Sequence, residues 1–173
     1  VITTTGKTVK FSNFTASDTR KDGTVDLTSA ITVRYKKGDD LQTIVNYDKE
    51  NGLSFVAEKD TVYCYSFVVS DGSNEVSLNY IIEVKDFWLT AEFGEDEYSA
   101  EIGKEFAYED KLTVKSVDGT SIDGATIKWE FDGEELSGKL VPSKRGNFVL
   151  KAVITAGDQT VELTTVLAVK GVK

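Results

Sequence analysis

Apolar residues stand at every second position over two stretches of the first half of the chain. Before a turn-forming segment at residues 71–74 these are Tyr63, Tyr65, Phe67 and Val69, and after it they are Val76, Leu78, Tyr80, Ile82 and Val84. Period-two spacing on both sides of a turn is typical of a β-hairpin with one buried face. The pattern therefore predicts two long antiparallel strands that turn one face toward a core.

The same pattern returns 85 residues later without a gap, so that residues 53–85 fall on residues 138–170. The identical pairs are Val56/Val141, Lys59/Lys144, Val68/Val153, Gly72/Gly157, Val76/Val161, Leu78/Leu163, Val84/Val169 and Lys85/Lys170. A slip of one residue would turn the apolar face to solvent, so the preserved face indicates a shared structure. Because a fixed internal period defines the structural unit, the sequence predicts two copies of one β module, at residues 1–86 and 87–173.

The two modules match at a larger offset near their beginnings, which indicates an insertion. Gly6 falls on Gly103 at an offset of 97, and Asp22 falls on Asp118 at an offset of 96. Since the offset drops from 96 to 85 further on, module one carries eleven additional residues around positions 42–52. We expect residues 43–45 to form a short additional strand there, and the insertion to lie at the surface as a loop of the kind that binds ligands.

Residues 87–93 are predicted to form the first strand of module two. Its counterpart in module one would precede Val1, so we expect module one to be cropped at its start or to have lost this strand. Because the sequence begins at Val1 and contains no methionine, we expect it to be a fragment or mature segment of a longer protein.

Composition favours an all-β fold and argues against two classes of partner. The chain is rich in valine, threonine, isoleucine, tyrosine and phenylalanine, and no segment keeps a helical apolar spacing over three turns. The chain has 29 acidic and 20 basic residues, and the resulting net charge of −9 repels nucleic acid and anionic lipid. No apolar run approaches the length of a membrane span, so we predict no membrane insertion. Cys64 is the single cysteine, and a secreted chain without a disulfide is more typical of a bacterial surface.

Several short motifs resemble immunoglobulin-like domains. Residues 127–136, which place Trp129 ahead of an Asp-Gly turn, resemble strand C of such a domain. Residues 140–150 resemble the approach to strand F in bacterial immunoglobulin-like repeats, and residues 55–63 are similar to the same motif in module one. Paired cysteines of the antibody type are absent, since Tyr65 and Leu150 occupy the strand F position. The resemblance implies two tandem immunoglobulin-like β-sandwich domains, displayed outside the cell on a large bacterial protein as spacers or adhesion modules.

The residue types argue against catalysis and leave one metal open. The chain has no histidine, the commonest proton-transfer group, and a single cysteine, so zinc and Ser–His or Cys–His chemistry are excluded. The acidic runs at residues 95–97 and 134–135 are typical of solvated turns. We therefore predict that the protein is not an enzyme and has no cofactor. Calcium is the alternative left open by two groups of carboxylates, which are Asp18, Asp22 and Asp26, and Asp86 with Glu92, Glu95, Asp96 and Glu97.

The remaining question is what the surface contacts. Trp129 alternates with apolar neighbours and is predicted to be a core residue, whereas Tyr47 and Tyr98 are the candidates for an exposed aromatic contact. The leading prediction is a non-catalytic spacer or adhesion module whose partners are neighbouring domains of the parent protein. The alternative is a carbohydrate- or protein-binding module, with a glycan or host surface protein as its partner. It would use the 42–52 insertion, with a contact loop formed by Tyr47, Asp48, Lys49, Glu50 and Asn51.

Overall fold

The computed structural model describes residues 1–172, and its regular structure is almost entirely β-strand. Within that range the helical segments are two short 3₁₀ turns, Thr28–Ala30 and Glu109–Lys111. None of the described helices is long and apolar enough to cross a bilayer. The chain divides into two compact units, of which unit 1 is Val1–Asp86 and unit 2 begins at Phe87.

Unit 1 is a sandwich of one large sheet and two short strand pairs. Its strands are β1 (Ile2–Thr4), β2 (Thr8–Phe11), β3 (Ser17–Arg20), β4 (Gly23–Asp26), β5 (Thr32–Lys37), β6 (Thr43–Asn46), β7 (Leu53–Val56), β8 (Val62–Ser70) and β9 (Glu75–Lys85). The large sheet has the order β1-β9-β8-β5-β6, in which β1 is parallel to β9 and the other neighbours are antiparallel. The short antiparallel pairs are β2–β7 and β3–β4.

The core of unit 1 is rich in aromatic rings. Val33 of β5 and Ile82 of β9 are fully buried, and they project from the large sheet. Phe11 of β2 contacts the rings of Tyr65 and Phe67 on β8, with centroids 5.0 Å away in each case. Apolar faces of the large sheet and of the β2–β7 pair therefore meet in one cluster.

Unit 2 repeats the five-stranded sheet and has one further strand at its start, whereas the isolated bridges Phe106↔Leu140 and Lys115↔Ser121 stand in place of the pairs β2–β7 and β3–β4. Its strands are β10 (Leu89–Phe93), β11 (Glu97–Glu101), β12 (Leu112–Ser116), β13 (Thr126–Phe131), β14 (Glu134–Leu136), β15 (Gly146–Ala156) and β16 (Gln159–Lys170). The large sheet has the order β11-β16-β15-β13-β14, with β11 parallel to β16, and β10 pairs with β12. Leu150, Ile154 and Leu167 are completely buried in its core.

The long hairpins predicted from the alternating pattern are confirmed, with the same register in both units. Tyr65 lies opposite Tyr80 in unit 1, and 85 residues later Leu150 lies opposite Thr165. β8, β15 and β16 turn their apolar sets inward, and β9 does so from Tyr80 onward, so Tyr65 and Leu150 are both buried. With their facing sheets and their parallel pairing of an early strand with the last strand, the units form an all-β fold of two tandem immunoglobulin-like β-sandwiches.

The strand expected at residues 43–45 is present as β6, but the expectation that it is additional is wrong. Unit 2 has its counterpart in β14, because β6 pairs with β5 as β14 pairs with β13. The additional residues instead lengthen the connections on either side of β6. Unit 2 closes β13 and β14 with Asp132-Gly133 alone, and both residues have the positive φ that a two-residue turn of this type requires, 53° and 82°.

Candidate functional site

The loop between β6 and β7 contains all five predicted contact residues, but the first of them is buried. Tyr47 is 6% exposed and continues the inward face of β6. Its hydroxyl accepts a hydrogen bond from the Phe14 N–H (3.3 Å), and its ring meets the Phe14 ring edge-on. The prediction of Tyr47 as an exposed contact is therefore wrong, because strand periodicity carries the side chain into the core.

Asp48 holds the rest of this loop in a fixed conformation. One carboxylate oxygen accepts hydrogen bonds from the backbone N–H groups of Glu50 (2.9 Å) and Asn51 (3.0 Å), and the other accepts one from the Asn51 side-chain amide (2.8 Å). These bonds, led by that from the Asn51 side chain, lower the pKa of Asp48 because they favour its charged form. Lys49, Glu50 and Asn51 remain exposed at the tip of the loop.

Two of the three carboxylates in the first group proposed for calcium, Asp18 and Asp26, are engaged in local contacts. Asp18 forms an ion pair with Arg20 (2.5 Å), and Asp26 accepts a hydrogen bond from the Thr28 N–H (2.9 Å). Hydrogen bonding to Thr28 lowers the pKa of Asp26. Across residues 1–172, no three or more histidine, cysteine or acidic side chains are arranged to hold a metal ion.

The two other aromatic candidates are both core residues. Trp129 is buried as predicted, with its ring 4.9 Å from that of Tyr108. Tyr98 is also buried, and its hydroxyl accepts a hydrogen bond from the Glu95 N–H (2.9 Å). The expectation that Tyr98 is exposed is wrong, because Tyr98 stands on the inward side of β11 together with Ala100.

An open apolar groove lies beside β3 in unit 1, and the sequence patterns did not identify it. We call it the β3 groove; its volume is about 260 Å³, and it is lined by residues 14–17, Ile31, residues 67–69 and residues 76–78. Val76 and Leu78 on its wall are 65% and 54% exposed, although both stand on the apolar face of β9. One feature of the sequence could have indicated the groove. Residues 1–86 contain no counterpart of residues 87–93, and part of this face is therefore left uncovered.

Comparisons with known proteins identify no relative by sequence. Neither protein-family models nor curated proteins match the chain. Among solved structures, the fibronectin(III)-like modules of Clostridium thermocellum CbhA are 15% identical, with 98% of this chain and 89% of that chain covered and a TM-score of 0.36. The N-terminal four Ig domains of Dscam1 are 12% identical, at 98% and 43% coverage and a TM-score of 0.36. Domains 1–6 of the surface layer protein SbsC are 14% identical, at 96% and 24% coverage and a TM-score of 0.37. This chain thus spans less than half the length of the last two.

Proposed function

We propose that this chain is a non-catalytic pair of immunoglobulin-like modules that acts as a structural spacer or adhesion segment of a larger bacterial extracellular or cell-surface protein. The observation that carries the proposal is the parallel pairing of an early strand with the last strand in each unit. β1 pairs with β9 in unit 1, and β11 pairs with β16 in unit 2.

This pairing suits a segment that is held under tension. Because β1 and β9 are parallel, pulling on the two ends of unit 1 draws these strands in opposite directions along their axes. The hydrogen bonds between them then resist together in shear rather than opening one at a time. In unit 2 the same pairing extends over five residue pairs, from Glu97↔Val166 to Glu101↔Lys170.

The charged side chains support a structural role as well. Lys151 on the outer face of unit 2 lies between Glu162 (2.5 Å) and Glu130 (3.3 Å), which raise its pKa through hydrogen bonding. Asp71 caps the β8–β9 turn by accepting hydrogen bonds from the backbone N–H groups of Asn74 and Ser73, at 2.7 Å each. A display site outside the cell agrees with the acidic surface and with the single cysteine.

Single-molecule force spectroscopy on the full chain, held by its two termini, tests this proposal. We expect two separate unfolding events, each releasing roughly 300 Å of contour length for about 86 residues at ~3.5 Å per residue. A chain that extends smoothly, without two resolved events, would contradict a role under tension.

A second candidate function is a carbohydrate- or protein-binding module that uses the tip of the β6–β7 loop. The observation that favours it is the fixed conformation that Asp48 imposes on exposed Lys49 and Glu50, because a preordered loop loses less entropy on binding. A Lys49→Ala/Glu50→Ala variant keeps the Asp48 cap. If glycan-array or pull-down signal seen with the parent chain disappears in this variant, binding through this loop is supported. No signal with the parent chain would count against it.

A further inference from the structure

Strand β10 of unit 2 shows how a groove of this kind is filled. β10 pairs antiparallel with β12, and the pairs that face the core are Leu89↔Ser116, Ala91↔Val114 and Phe93↔Leu112. Leu89 is buried, and Ala91 and Phe93 pack against the core of unit 2. Val161 and Leu163 of β16 are half-buried and pack against the same core.

Unit 1 presents the matching surfaces without the covering strand. At the offset of 96, β3 corresponds to β12, and at the offset of 85, Val76 and Leu78 correspond to Val161 and Leu163. Within residues 1–86, β3 pairs with β4 and with no strand on its other side. The exposed fractions of Val76 and Leu78 are accordingly large, and the β3 groove lies open beside them.

The backbone of β3 is oriented to pair with an additional strand. The Ala16 carbonyl accepts a hydrogen bond from the Leu27 N–H on the side of β4 (2.8 Å). Backbone groups of successive residues in a strand point to opposite sides, so those of Ser17 and Thr19 point toward the open edge. In unit 2 the backbone groups alternate between the two sides in the same way at the corresponding positions, 96 residues later. The Ser116 N–H donates to Thr120 within its hairpin, and the Val117 N–H donates to Trp88 on the side of β10.

One side chain enlarges the space beside this edge. Ala16 stands where unit 2 has Leu112, the residue opposite Phe93 of β10. The smaller side chain leaves room for a large apolar residue of an incoming strand, between Phe14 and Val69. Further along the edge, Asp18 stands where unit 2 has Val114 and pairs with Arg20. The groove therefore fits a strand that is apolar at alternate positions, with a large residue opposite Ala16 and a small one, as Ala91 is in unit 2, opposite Asp18.

The connection between β10 and β11 indicates where such a strand is attached. Four residues separate Phe93 from Tyr98. Ile2 pairs with Glu83 in unit 1, and Ser99 pairs with Ala168, the counterpart of Glu83, in unit 2. Ile2 therefore corresponds to Ser99, and Val1 corresponds to Tyr98. The Val1 nitrogen already donates a hydrogen bond to the Ile81 carbonyl (3.0 Å), and the peptide N–H of a longer chain can donate the same bond. We propose that the β3 groove is the docking site of an extended, alternately apolar β-strand joined to Val1 by about four residues.

Fusion of the missing strand to the full chain tests this proposal. A copy of residues 87–97 is placed directly before Val1, and amide hydrogen exchange is measured at Ser17 and Thr19. We expect about tenfold or greater additional protection of both amides, because the fused strand pairs with this edge. A control fusion of the same length, with the copies of Leu89, Ala91 and Phe93 replaced by serine, is expected to give no added protection. Equal protection from both fusions, or none from either, would overturn the proposal.

Two further comparisons test whether the added amide protection comes from a strand bound in the β3 groove. Val76→Ser/Leu78→Ser changes exposed side chains of the groove wall and is expected to reduce the added protection, whereas Ile81→Ser on the outer face of the same strand is expected to keep it. The size of the fusion protein is measured by chromatography. A dimer would overturn attachment within one chain, because the strand would then occupy the groove of a second molecule. A free peptide of residues 87–97 is also added to the unfused chain at a one-to-one ratio. Protection equal to that of the fusion protein would overturn attachment within one chain as well.

Discussion

The ring of Tyr65 on β8 stacks on the ring of Tyr35 on β5, with the centroids 5.2 Å apart and the planes 13° from parallel. The two residues are directly opposite each other in the register of the large sheet of unit 1. Phe55 of β7 also stacks on Tyr65, with the centroids 5.2 Å apart and the planes 11° from parallel. Tyr65 thus lies in a cluster of stacked rings in the core, and this position has a measurable effect at high pH.

Burial raises the pKa of Tyr65 from 10.0 to about 12. Below pH 10 the phenol is neutral in both the folded and the unfolded chain, so its burial contributes fully to the unfolding free energy. Above pH 10 the unfolded chain loses this proton while the folded chain keeps it, so stability falls as the pH rises toward 12. We expect the unfolding free energy of unit 1, measured by urea unfolding, to fall less steeply with pH in Tyr65→Phe than in the parent chain over this window. Parallel stability curves for the two proteins above pH 10 would contradict this explanation.

Asp48 is expected to stabilise the β6–β7 loop in its charged form. Its folded pKa is lowered, so its contribution is present above the ordinary value of 3.8 and is lost as the pH falls through the folded pKa. Asp48→Ala should therefore lower the thermal midpoint of unit 1 at pH 7, and the difference from the parent chain should shrink below pH 4. Asp39→Ala, at an exposed position in the β5–β6 turn, is the matched control and should leave the midpoint nearly unchanged.

Leu150 is expected to be among the most sensitive core positions of unit 2. It has no exposed surface, so Leu150→Ala leaves a cavity and should cost about 2–5 kcal/mol of unfolding free energy. The neighbouring Val149→Ala changes a half-exposed residue on the outer face and should cost much less. Urea unfolding that resolves the two units checks both variants, and a similar loss in each would contradict the assigned face of β15.

Gly52 is required by a close backbone approach as well as by its conformation. Its φ is +72°, and a Cβ atom there would stand 2.3 Å from the Phe11 carbonyl oxygen. Gly72 also has a positive φ, +92°, but a Cβ atom there would meet nothing within 4 Å. Gly52→Ala should therefore destabilise unit 1 clearly more than Gly72→Ala, for which a cost of about 1 kcal/mol is expected. Equal midpoints in thermal unfolding would contradict this.

The parallel pair β11–β16 is expected to set the mechanical strength of unit 2. The Ile102 N–H donates to the Lys170 carbonyl, so by alternation Ala100 presents its N–H to β16 and Ser99 presents its own away from it. Ala100→Pro removes a bond of this ladder and should lower the force at which unit 2 unfolds. Ser99→Pro, one residue away on an edge strand, serves as the control and should leave that force nearly unchanged.

The long hairpins could be predicted from the sequence because their signal is local. Alternation over Tyr63–Val69 and its return 85 residues later specified face and register together, and the structure has that register in both units. Trp129 was likewise predicted to be buried from its apolar neighbours alone.

The burial of the loop residues could not be predicted in the same way. Tyr47 follows a short strand whose pairing with β5 depends on contacts distant in sequence, so its inward direction was not visible locally. Tyr98 stands in a strand of mixed composition, and the parallel partner that orients it is about 70 residues away. In both cases tertiary pairing decided which side of the strand faces the core.

The free edge of β3 also bears on solubility. Backbone groups that point outward from a strand are a template for edge-to-edge aggregation between molecules. In unit 1, Asp18 and Arg20 stand on this strand, and Lys21 and Asp22 form its turn. A second molecule that stacked on this edge would have to strip water from these ionised groups, so fibril-like growth from unit 1 carries an electrostatic penalty.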